Sequence, residues 1–179
     1  MILSTAYFPP IQYIETLKED STIIEAHETF QKRSYRNRCD IMTATGIQRL
    51  SVPIIGGRGV RLPIREVEVD HSEKFASQHL KSIHTAYRSA PYFEHFIDKI
   101  EPLFLFSDKY LFDMNQRITQ GILEILKVNT PIVLTENFTG CDTPPIYSRG
   151  EYYQVFSERQ PFVPNLSILD WIFCNGFLE

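Results

Sequence analysis

The chain has 179 residues, 43% hydrophobic and 22% charged, with a formal net charge of −4. That length suits one domain over residues 1–179 with a sizeable buried core. The mild acidic excess provides no basic face for nucleic acid, and no apolar window is long enough to span a membrane.

The opening "ILSTAYF" alternates as a strand, and "FPP" ends it. It lacks the cationic start and unbroken apolar stretch of a signal peptide. A short helix is expected over residues 11–18, with Ile11, Ile14 and Leu17 on one face. "STIIEA" is a brief β-type run. "RCDIMTAT", "IQRLSVPII" and "IREVEVD" then predict three strands, β-branched and close to alternating. Gly56, Gly57 and Gly59 separate the second and third of these. They mark a flexible hairpin connection rather than a phosphate loop, because no Lys-Ser/Thr follows and no helix opens there.

Helices dominate the middle of the chain. "SEKFASQHLKSIHTAYRS" puts Phe75, Ala76, His79, Leu80, Ile83 and Tyr87 on one stripe. Pro91 is expected to start a second helix, "PYFEHFIDKIEPLF". Ser107 is expected to cap a third, with Leu111, Met114, Ile118, Ile122 and Ile125 inward. "PIVLTE" returns to strand, "TGCDTPPIYSRG" is a loop, and "EYYQVF" reads as one more strand. "NLSILDWIFCNG" closes the chain as a short helix ended by Gly176. This order predicts a mixed α/β domain with N-terminal strands, central helices and a C-terminal strand and helix. The alternative is α+β, and the sense of the sheet stays open.

Candidate chemistry is sparse. His79 and His84 are five apart, about 140° around a helix, so they cannot chelate together and no metal site is expected. Cys39, Cys141 and Cys174 are odd in number and widely spaced, as in reduced cytoplasmic thiols. Cys39 follows a cationic run, which would favour its thiolate, but a small core residue fits the same place. Ser167 is placed to cap the last helix, with Asp170 adding capping-box-like charge, and no GxSxG elbow exists.

The run is "QKRSYRNRCD". Were it extended, Lys32, Ser34, Arg36 and Arg38 would share one side, opposite Gln31, Arg33, Tyr35 and Asn37. Arginine's planar fork matches carboxylate and phosphate oxygens in pairs. A solvated edge or internal salt bridges would account for the same residues.

Four stretches resemble a short form of the WbqC-like protein family: "YFPPIQYI", "FQKRSYRNRCDI", "HLKSIHTAYRSAPYFEHF" and "YYQVFSERQPFVPNLSILDWIFCNG". The last is the most specific by pattern. Thr5 and Ala6 stand where the family commonly has a Gln, and Gln12 and Tyr13 where it commonly has a Gly. The strand and loop around residues 131–150 replace a segment inserted in longer members.

The resemblance implies a cytoplasmic bacterial protein of O-antigen or other surface-polysaccharide synthesis, transferring an aminoacyl or acyl group to an amino sugar. It favours an anion site over residues 32–38. The implied substrate-binding residues are Tyr7, Gln31, Lys32, Arg36, Asn37, Arg38, Tyr87, Tyr92, Tyr153, Gln154 and Asn165. His84, off the apolar stripe, is the expected general base, with His27 second and Asp170 orienting whichever acts. Asn165, Asp170 and Tyr87 have structural duties as their alternative. The implied partner is an anionic small molecule bearing phosphate or carboxylate, and the cofactor stays unknown. The competing reading is a non-catalytic interaction or scaffold protein, its Tyr and Phe surplus exposed at a partner or homodimer face.

Overall fold

A computed structural model describes residues 1–19, 22–56, 61–105, 107–142 and 150–178. The mixed α/β make-up expected from the element order is present, as two two-stranded sheets and five α-helices among the described residues. Gly57 and Gly59 of the glycine triplet, and part of the loop after Thr139, lie outside the described residues.

Strands β1 (Ile2–Ser4) and β2 (Ile23–Glu25) pair in parallel. Parallel neighbours need a crossover, and α1 (Ile11–Leu17) supplies it. Pro10 takes the extended position just before α1, where an N–H would find no intrahelical partner. "PIVLTE" joins this sheet at a single point rather than as a strand. Ile24 N donates to Val133 O at 2.8 Å, and Thr135 N donates to Ile24 O at 3.0 Å.

Strands β3 (Arg38–Thr43) and β4 (Gly46–Ser51) form an antiparallel hairpin. Thr43 faces Gly46, so Ala44 and Thr45 are the whole loop, and Gly46 turns there at φ +115. The expected strand "IREVEVD" is instead a 3-10 turn, Ile64–Glu66, followed by an extended segment. Val67 and Val69 are buried and Glu68 is not, so the alternation is real. The backbone, however, pairs with no strand among the described residues: Leu111 N, at the start of a helix, donates to Val67 O at 2.9 Å, and Ile55 N to Glu68 O at 2.9 Å. "EYYQVF" is likewise irregular, because side chains rather than a ladder hold it.

Helix α2 (Phe75–Tyr87) buries Phe75, His79, Ile83 and Tyr87 as the stripe predicts, and Ala86 as well. Helix α3 (Phe93–Ile100) starts past Pro91 and runs into a 3-10 turn, Glu101–Phe104, at Pro102. Helix α4 (Leu111–Ile125) begins after Tyr110 with no side-chain cap, so Ser107 does not cap it. Helix α5 (Ile168–Asn175) is capped by Ser167, whose Oγ accepts from Leu169 N at 3.3 Å. Asp170 does not complete a capping box, since Ser167 N donates to Asp40 O at 2.8 Å. One apolar cluster draws on both sheets and all five helices.

Candidate functional site

The basic segment folds as successive turns up to Arg38 rather than as a strand. Arg33 sits at φ +59, and Ser34 Oγ donates to Gln31 O at 2.7 Å. Serine hydroxyls offer the backbone this local alternative to a ladder. The expected shared face of Lys32, Ser34, Arg36 and Arg38 is therefore not formed. Tyr7 N donates to Tyr35 O at 2.7 Å, which ties the turn to the loop between β1 and α1.

Arg36 points inward. It meets Glu28 through two parallel bonds, Nε to Oε1 at 2.9 Å and Nη2 to Oε2, and both residues are buried. Cys141 Sγ donates to the same Oε2 at 3.1 Å. Burial, then the Glu28 carboxylate, pushes the Cys141 thiol up to about 12. A pair enclosed this way has its charges matched internally, so Arg36 fastens the turn.

Arg38 is different. It opens β3, is half-buried, and has its Nε enclosed without a hydrogen-bond partner. Among the described residues, neither Arg33 nor Arg38 forms an ion pair. Both line a cavity of about 290 Å³ with Ser4, Tyr35, Arg36, Asp40 and Arg49. The hairpin register sets Arg49 opposite Asp40, and Arg49 Nε and Nη2 donate to its two oxygens at 2.8 Å each. With Arg36 and Arg49 matched, Arg33 and Arg38 carry the uncompensated charge. Cys39 also lines this cavity but is a core thiol, pushed up by burial first and Asp40 second, which removes the thiolate reading. On the other side, Arg33 and Arg38 line a larger cavity of about 730 Å³ with Lys32, Asn37, Asp70 and Glu73.

The remaining candidates line neither cavity. Tyr7 is buried, its hydroxyl 2.8 Å from His79 Nδ1; burial holds that imidazole down to about 4, hence neutral. Tyr87, Gln154 and Asp170 belong to one buried network. Tyr87 OH donates to Asp170 Oδ1 at 2.8 Å, while Tyr152 OH and Gln154 Nε2 donate to Oδ2 at 2.9 and 3.2 Å. Met42 N donates back to Tyr87 OH at 3.1 Å. Burial raises Asp170 to about 6 against the pull of these donors. Asp170 therefore orients no histidine. His84 Nε2 lies 2.7 Å from Glu101 Oε1, with its ring edge-on to Phe93. His27 and Gln31 are exposed, and His27 N donates to Glu25 Oε1 at 2.8 Å. Tyr92 stands against Gly176, Tyr153 is exposed with its carbonyl held by Asn175, and Asn165 takes a turn at φ +61 before α5.

Sequence reasoning missed Ser4, Tyr35 and Arg49. Arg49 was recoverable, since a two-residue turn at Ala44 and Thr45 sets it across from Asp40. Glu28 as the partner of Arg36 left no local signal. Among the described residues, no three His, Cys, Asp or Glu side chains converge as metal ligands, and no helix is long and apolar enough to cross a membrane.

The model of the WbqC-like protein family matches residues 5–145, and the chain belongs to that family. It is also similar to "Uncharacterized protein Rv1507c" of Mycobacterium tuberculosis, 29% identical over 132 residues. That match covers 72% of this chain and 56% of the relative, so the chain matches about half of its length. No solved structure matches. The C-terminal motif, the most specific by pattern, lies beyond the matched residues.

Proposed function

We propose that the protein binds a phosphate- or carboxylate-bearing small molecule on Arg38, with Arg33 beside it. The observation that supports this most is the selective pairing of the arginines. Two of the four around the smaller cavity have carboxylate partners, whereas Arg33 and the half-buried Arg38 have none among the described residues. A desolvated guanidinium facing a cavity is stabilised by an anion more than by water. Ser4 is the last residue of β1, so the cavity adjoins the carboxyl end of the parallel pair, where open α/β sheets commonly hold ligands.

The reaction proposed for this site is transfer of an aminoacyl or acyl group to an amino sugar in surface-polysaccharide synthesis, in keeping with the family resemblance. His84, the base expected from the resemblance, is held by Glu101 and lines neither cavity, so the proposal is confined to the binding step. Titration calorimetry with a nucleoside diphosphate sugar and with acetyl phosphate tests the binding step. Arg38→Ala should lose at least about tenfold in affinity. Unchanged affinity in that variant would remove the proposal.

The scaffold reading has one observation in its favour. Tyr92 and Phe177 are both exposed near the end of α5, with Phe177 packed edge-on to Phe96. Light scattering of the purified chain tests it: a dimer dispersed by Tyr92→Ser with Phe177→Ser would support it, and a monomer at all concentrations would oppose it.

A further inference from the structure

We infer that the larger cavity beside Arg38 takes a bipolar ligand. Its anionic group would rest on Arg33 and Arg38, and its protonated amine on Asp70 and Glu73. This rests on the reading above that Arg33 and Arg38 take an anion, and it seats that anion on their larger-cavity side, where a second charge is available.

The argument begins with how the two walls are held. On the cationic side, Val52 N donates to Asn37 O at 2.8 Å, and Asn37 Nδ2 donates to Val52 O at 3.1 Å. On the acidic side, Asp70 N donates to Pro53 O at 3.0 Å. The adjacent residues Val52 and Pro53 thus hold both walls in register. The cavity, about 730 Å³ and open to solvent on one side, is within the volume range of small-molecule pockets.

Across that space the charges do not meet. No ion pair among the described residues joins Arg33 or Arg38 to Asp70 or Glu73. Opposite charges placed only to stabilise the fold would close on each other, as Arg36 does with Glu28. Asp70 is fixed for its part. Its Oδ1 accepts from Ser72 N at 2.9 Å and from Ser72 Oγ at 2.6 Å, which leaves Oδ2 for another donor.

Asn37 is 8% exposed and lines the same cavity, but its Oδ1 is buried with no donor, so its amide serves to hold the wall through the bond to Val52.

The test is calorimetry on the full chain at mildly acidic pH with three sugars of one shape. They are glucosamine phosphorylated on its primary hydroxyl, its N-acetyl form, and glucose phosphorylated at the same position. The amine-bearing sugar should bind about tenfold more tightly than the other two. Asp70→Asn combined with Glu73→Gln should erase that preference while glucose phosphate still binds, no more weakly than before. Equal affinity for all three in the wild type, lost in Arg38→Ala, would overturn the bipolar ligand and leave the anion site standing. Absence of binding by all three would overturn both.

Discussion

The Asp170 network and the Arg38 cleft both use polar side chains inside the protein, yet they end differently. Around Asp170, both carboxylate oxygens accept hydrogen bonds, and Tyr87 and Gln154 each make a further bond to the backbone. Around Arg38, a guanidinium nitrogen and an amide oxygen are enclosed without partners, and the nearest matched cations are tied to other carboxylates. A polar cluster that satisfies itself rigidifies the fold. One that leaves charge over is where a partner from outside has something to add. Tyr87, Gln154 and Asp170 satisfy one another by this criterion, and the binding proposal rests instead on Arg33 and Arg38.

Removing a member of a closed cluster should cost the most stability. Glu28→Ala leaves Arg36 buried and unpaired, and should destabilise by roughly 3–5 kcal/mol in urea unfolding. A loss below about 1 kcal/mol would mean that Arg36 is solvated and no more closed than Arg38. Next comes Tyr87→Phe, which strips a donor from Asp170 and the acceptor of Met42 N, at about 1–3 kcal/mol.

Proton linkage sharpens the comparison further. Asp170 is raised from 3.8 to about 6, so the folded state holds its proton more tightly. Its contribution favours folding at acid pH and is lost as pH rises through about 4 to 6, by roughly 2–3 kcal/mol. His79, lowered to about 4, works the opposite way in the same window. The Asp170→Asn variant isolates the carboxylate: relative to it, the wild type should gain stability from pH 7 to 5. Parallel pH profiles would show that Asp170 is not desolvated. Glu25 provides the contrast of a closed carboxylate with depressed affinity. Burial raises it, but bonds from Thr139, His27 and Thr135 outweigh that and bring it to about 2. Its contribution is therefore present above about 4.5 and lost as pH falls toward 2.

The smallest expected effect is on the open side. Arg38→Ala has no carboxylate to orphan, and should move stability by no more than about 0.5 kcal/mol.

The helices were legible because 3.6-residue periodicity reports burial directly: Phe75, Ile83 and Tyr87, then Met114, Ile118 and Ile122, all face the core. Strands β3 and β4 were legible from their β-branched runs, but the turn between them at Ala44 and Thr45 was not, since the hairpin connection was expected at the later glycines. Alternation at Val67 and Val69 gave burial correctly but not pairing, since backbone outside any strand satisfies those residues as well as a strand would. The basic segment misled because its composition shows charge, whereas its conformation follows from Glu28, Ser34 and a left-handed Arg33. The pairing of Arg49 with Asp40 follows from the hairpin register, whereas that of Arg36 with Glu28 has no local pattern to carry it.

Thermal unfolding of the wild type and Arg38→Ala, each with and without pyrophosphate, tests the central claim most directly. Binding to the folded state alone raises the midpoint. The account predicts matching midpoints for the two free proteins and a pyrophosphate-induced rise in the wild type only. An equal rise in Arg38→Ala, or a large fall in its ligand-free midpoint, would contradict it.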